Sequence, residues 1–292
     1  MKDFELQSNS LSSLFQTGNY VKAICDYKEK IYLNELNEND IVIFSIILQK
    51  LSRVPDAKRF FDWAFSNYRN SYKIYLHRIL FLMNYEFEQV QFLLPSLKSI
   101  NYIIESHPNY KLAYAIKARL LALKYYQRIF NLNKDSKLCE IDVSSYEISF
   151  NFTKKVYSSK EFLEIMNIFE IGNESEIDQS LMLFHKSEIL QMYSLFDDAL
   201  ECIETALSLS PNNNSLFLQK AKILKFNEKY YEALKVLNDL IELYPEHAQA
   251  YEWRASIYRY PLFNAGLYKE NQMKVKELSL GQCRTLPDWS GP

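Results

Sequence analysis

Glycine is scarce in this chain, with 5 among 292 residues, and proline is little commoner at 8. Sheets joined by tight hairpins draw on both residues at their turns, so the shortage argues against a hairpin-rich β fold and suits helices joined by short turns. Gly18, Gly172, Gly266, Gly281 and Gly291 stand so far apart that neither a phosphate loop nor a dinucleotide fingerprint can be written. No GxSxG elbow and no HExxH pair occurs. The longest strongly apolar run lies near Ile41–Leu48, far short of a bilayer span. Neither sign of charge dominates: the net charge is −2, without the overall basic excess that marks a nucleic-acid binder. The four cysteines, Cys25, Cys139, Cys202 and Cys283, form no CxxC pair, and the opening Met-Lys-Asp-Phe-Glu has no apolar signal core. Both features predict reduced, mostly buried thiols in a cytoplasmic protein.

What is present is apolar and aromatic. Hydrophobic residues make up 48% of the chain and aromatics 15%, with 22 Tyr and 19 Phe. That is enough for a sizeable core in which rings fill the gaps between helices. A period of 34 residues runs through it. Phe196 and Tyr230, Ala199 and Ala233, and Pro211 and Pro245 are each one period apart, and Ser187, Ala221 and Ala255 continue the series. Small residues let helices approach closely, and each proline ends a helix. Between the marks, Ala199, Ile203, Ala206 and Leu207, then Ala233, Leu237, Leu240 and Ile241, recur at three and four steps and form one face of an amphipathic helix. Near the N-terminus, Gly18, Tyr20 and Ala23 repeat the turn, ring and small-residue marks, and Ala57 follows Ala23 by one period.

The pattern resembles the tetratricopeptide repeat, a helix–turn–helix of 34 residues with a small residue eighth, an alanine twentieth and a proline thirty-second. The resemblance implies an all-α, right-handed superhelical solenoid of about seven to eight units. These begin near Phe4, Glu38, Tyr72, Lys111, Tyr146, Ser180, Asn214 and Ala248. The array spans 1–260, most legibly at 180–213, 214–247 and 248–260. Residues Asn131–Val143 read as a polar insertion or loop. A capping helix is expected over 261–279, within it Leu267–Leu278, because an array must cover its last apolar face. Residues 280–292, with Pro287, Trp289 and Gly291, read as an extended tail.

By the same resemblance, the first helix of each unit lines a concave groove that holds a segment of another protein. The expected function is that of a non-catalytic scaffold or adaptor, a subunit of a larger assembly, with no cofactor. Register then assigns to the groove Arg119 with Ala115, Ala122 and Leu123; Phe184, Glu188, Gln191 and Met192; Leu218, Lys222, Lys225 and Phe226; and Gln249, Glu252, Ser256, Arg259 and Tyr260. Its basic and aromatic members suit a segment bearing acidic groups. The clamp by which some members of that family grip the acidic C-terminus of heat-shock proteins is missing from the groove of the three most legible units, where its positions hold Phe184, Glu188, Gln219, Gln249 and Trp253. His185 and Glu188, three apart on one helix, have the spacing of two metal ligands, but no third is visible and a solvated polar pair is the expectation, with no metal. Lys117, Lys186, Lys220 and Arg254 are all seventh in their units, a structural ladder with a phosphate or RNA ladder as the alternative. An RNA-binding repeat and an enzyme with an unrecognised site are the competing functions.

Overall fold

The structure is a computed structural model that describes residues 11–32, 36–85, 96–135, 156–170, 176–280 and 286. Every regular element among them is a helix. In chain order these are α1 (Leu11–Gln16), α2 (Tyr20–Tyr32), α3 (Glu38–Lys50), α4 (Val54–Asn67), α5 (Tyr72–Tyr85), α6 (Ser96–Ser106) and α7 (Lys111–Asp135). After them come α8 (Lys160–Ile168), α9 (Glu176–Met192), α10 (Phe196–Leu209), α11 (Asn214–Phe226), α12 (Tyr230–Leu243), α13 (Ala248–Arg259) and α14 (Ala265–Leu280). No helix among the described residues is long and apolar enough to cross a membrane.

The 34-residue period reappears as helix starts. Tyr20 and Val54, Glu38 and Tyr72, Phe196 and Tyr230, and Asn214 and Ala248 each open a helix one period after the last. The small residues of positions eight and twenty do what their size allows. Ser45, Ala118, Ser187, Ala221 and Ala255, and Ala23, Ala57, Ala199 and Ala233, are all buried where helices cross. Helix starts are fixed by short polar side chains: Asn37 accepts the Asp40 amide at 3.0 Å, and Ser159 accepts the Phe162 amide at 3.1 Å. Five turns between paired helices pass through a left-handed residue: Gly18, Ser52, Ser194, Glu228 and Phe263. Only the first is glycine, so the others gave no glycine signal.

The chain forms two compact units, 1–85 with 230–292, and 86–229. The first gathers helices from two distant stretches into one core, in which Leu11, Tyr20, Phe44, Phe60 and Phe61 are buried with Ala248, Tyr251 and Leu278, and Leu286 packs against them. Glu246 accepts the Val21 amide at 2.9 Å, placing a carboxylate at the positive end of α2. The ring of Tyr20 packs edge-on to His247 at 6.1 Å. The second unit has its own core, built on Ala118, Ala122, Phe162, Ile189, Tyr193, Ile203 and Ile223. There the hydroxyl of Tyr193, in the turn after α9, donates to the Ala122 carbonyl at 2.7 Å and ties that turn to α7.

Two expectations need correction. Helix α7 continues through Asp135, so residues 131–135 are not loop; Asn131, Leu132 and Asn133 are ordinary guests in a helix already propagating from Lys111. The rest of that stretch lies outside the described residues, as do the first helix of the unit at Tyr146 and Trp289. The thiols are not all reduced: Cys25 is disulfide-bonded, while Cys202 is free, its thiol pushed up to about 11 by burial. Separation along a chain says little about separation in space once helices fold back on one another.

Candidate functional site

Three groove residues share the ninth position of their units: Arg119 on α7, Glu188 on α9 and Lys222 on α11. Because these first helices stack in the second unit, equal register brings the three side chains into one ladder of alternating charge. Arg119 Nη1 lies 2.9 Å from Glu188 Oε2. His185 Nδ1 lies 2.8 Å from the same oxygen. Lys222 adds its attraction from the other side.

Burial is the largest single influence on Glu188, His185 and Lys222. It pushes the Glu188 carboxyl up, but Arg119, His185 and Lys222 together outweigh it and hold the group ionised, at about 2. Burial lowers His185, against the pull of Glu188, so the ring is neutral near pH 7 and donates its Nδ1 hydrogen to the carboxylate. Burial also lowers Lys222. His185 and Glu188 are therefore not the solvated pair expected from sequence. The close stacking of α7 and α11 on α9 encloses them. Among the described residues no group of three or more His, Cys, Asp and Glu side chains could hold a metal.

Around the ladder, Gln219 is buried and donates to Gln191 Oε1 at 2.8 Å. Phe184 packs edge-on against His185 at 5.0 Å, and Met192 is half-buried against the core. Lys225 is half-buried, its pKa lowered by that burial, and its ammonium lies 5.7 Å from the Phe226 ring centre. Phe226 is 52% exposed. Leu218, at 4% exposure, and Ala115, Ala122 and Leu123 are core residues, not groove surface, because their helix faces turn into the seams between helices. The second-unit face open to a partner is thus narrower than expected, with Lys225 and Phe226 its most accessible members.

In the first unit the register positions of α13 divide. Gln249 donates to the Tyr85 hydroxyl, so it is engaged by the chain's own α5. Burial raises the Glu252 carboxyl. Ser256 donates to the Trp253 carbonyl at 2.6 Å. Arg259 and Tyr260 are exposed, and the guanidinium lies 5.3 Å from the Tyr260 ring centre.

The position-seven residues have a common geometry that sequence reading did not supply. Lys186 pairs with Glu170 at 3.5 Å and Lys220 with Glu204 at 2.8 Å; Arg254 donates to Asn238 at 2.8 Å. Each partner lies 16 residues earlier, Glu204 on α10 and Asn238 on α12, and Glu170 in the turn that follows α8. Arg78 and Asp62 repeat the link at 2.7 Å. These are staples between repeats.

No family model matches the chain and no curated protein matches it. Among solved structures it is similar to a tetratricopeptide repeat protein from Parabacteroides merdae, at 13% identity over 97% of this chain and 95% of that one, with a TM-score of 0.44. It is also similar to the APC/C hetero-tetramer Cut9–Hcn1, at 10% identity over 94% of this chain and 52% of that one, TM-score 0.35. A third likeness is to the TPR2AB domain of yeast Sti1, solved in a complex with pHSP90, at 13% identity over 92% and 98%, TM-score 0.31. Helix pairs stepped by 34 residues, with small residues buried at the eighth and twentieth positions, make the described chain an all-α helical-repeat structure whose period and marks resemble those of the tetratricopeptide repeat.

Proposed function

We propose that the protein is a non-catalytic scaffold that holds a segment of a partner protein against the first-helix face of its second unit. The observation that supports this is the ladder at position nine. Arg119, Glu188 and Lys222 lock α7, α9 and α11 together by their own contacts, and this rigid face presents half-buried Phe184, Met192 and Lys225 and exposed Phe226 to a segment. Glu188 held ionised and His185 held neutral by burial suit a fixed electrostatic feature better than a proton shuttle. The staples use Lys186 and Lys220 within the fold, which weighs against a phosphate ladder for RNA.

The test changes only the accessible edge. Affinity capture from cells is compared between the native chain and Lys225→Glu with Phe226→Ala, after circular dichroism shows equal folding. Lys222 is left alone, since a carboxylate there would face Glu188 and unfold the region. Loss of specific partners is expected. Retention of every partner by the double variant would show that this face is not the binding surface.

A further inference from the structure

The turn between α13 and α14 departs from its counterparts. Gly18 and Ser52, then Ser194 and Glu228, place their left-handed residues one 34-residue step apart. The last step, from Glu228 to Phe263, is 35, and the residue is a phenylalanine at φ 51°. A bulky side chain is a poor choice for that backbone, where Gly or Asn fits with less strain. The turn is nevertheless well fixed. The Leu262 amide donates to the Ile257 carbonyl at 3.2 Å, and the Asn264 amide to the Tyr258 carbonyl at 2.7 Å. Asn264 in turn accepts the Leu267 amide at 3.1 Å at the start of α14.

This rigid turn holds Phe263 out at 75% exposure and Tyr260 at 59%, their rings edge-to-face with centres 5.5 Å apart. The Arg259 guanidinium lies against Tyr260 and also against Tyr268, 5.5 Å from the latter's ring centre. No carboxylate among the described residues pairs with Arg259. Two exposed rings and an arginine pre-oriented by aromatic faces match the residue types that dominate binding energy at protein interfaces. The rings also keep water from one side of the guanidinium, which strengthens a two-pronged contact with a carboxylate.

We propose that Arg259, Tyr260 and Phe263 form a second docking surface, for a partner segment that sets a carboxylate on Arg259 and an apolar side chain beside it on Phe263. This surface lies in the first unit and does not depend on the second-unit reading. A nucleic acid fits it poorly. The charges of α14 are of mixed sign, Lys269, Lys274 and Lys276 with Glu270 and Glu277, and Lys274 is paired to Glu277, which gives a phosphate backbone no uniform basic track.

The probe is a fluorescein-labelled twelve-residue peptide alternating Glu with Leu and Phe, titrated with the full chain and read by anisotropy. Arg259→Ala and Phe263→Asn are each expected to weaken it about fivefold or more. A peptide with Gln for Glu is expected to bind about fivefold more weakly than the acidic one. Phe263→Asn should melt no lower than the native chain, since Asn adopts the left-handed backbone more easily; a structural role for Phe263 would lower the melting temperature instead. The double variant Lys225→Glu with Phe226→Ala should bind the peptide normally, so failure of either surface is told from failure of the other. The proposal is overturned by no binding up to millimolar peptide, by equal binding to the Gln peptide or to Phe263→Asn, or by tighter binding of a twelve-residue oligouridine.

Discussion

Glu188 is the residue on which most of the second unit's polar chemistry converges. Replacing it by Gln removes the one carboxylate held between Arg119 and Lys222 and leaves enclosed cations facing each other. We expect a loss of about 3 kcal/mol in urea unfolding, against about 0.5 kcal/mol or less for the exposed Phe226→Ala. The same group gives a pH dependence of definite sign. His185 is lowered from 6.5 in the folded chain, so the unfolded chain takes up its proton first, and stability falls as pH drops below 6.5. Glu188, held at about 2 against 4.5, adds a further loss as pH falls from 4.5 toward 2. Melting temperatures at pH 7.5, 5.5 and 3.5 should descend, and His185→Gln, which can still donate to Glu188, should flatten the first step. Gly18 gives a backbone prediction. At φ 76°, with Tyr244 Cδ1 2.8 Å from where a Cβ would stand, Gly18→Ala should cost about 1–3 kcal/mol in the same assay. Register placed Arg119, Glu188 and Lys222 in the groove, but their pairing with one another was not read, because it depends on how closely α7, α9 and α11 stack. The burial of His185 was not legible either, because spacing along one helix says nothing about what packs on that helix from both sides.

Among elements, the repeat was read most fully where small residues and prolines recur together, as in α9 to α13, and less well where the marks are sparse. The left-handed turns escaped notice because Ser52, Ser194 and Glu228 fill a place where sequence reading looks for glycine. The staples escaped because their acidic ends, Glu170, Glu204 and Asp62, differ in type and give way to Asn238 in one repeat. Their energetics should be modest. A double-mutant cycle on Lys220 and Glu204 should return a coupling of about 0.5 kcal/mol, as exposed pairs do. Arg254→Ala should cost more, about 1–2 kcal/mol, because Arg254 Nε also donates at 2.8 Å to buried Asn271, whose side-chain oxygen would lose that bond.

For the whole molecule, the decisive feature is that the first unit is assembled from 1–85 and 230–292. A repeat array read from sequence suggests neighbours that pack only on neighbours. No periodicity could show that Ala248, Tyr251 and Leu278 share a core with Leu11, Phe44 and Phe60. A chain ending at Lys229 is therefore expected to lose hydrogen-exchange protection over 11–85, while the second unit, whose core is its own, keeps it.

The same feature has a consequence for biosynthesis. At a synthesis rate of roughly 5–20 residues per second, the first 85 residues leave the ribosome on the order of ten seconds before those that complete their core. Through that interval Leu11, Ile24, Phe44 and Phe60 lack part of their native covering. A nascent chain held at that stage should be a client for chaperones that recognise exposed apolar helices, and release should follow emergence of the last repeat.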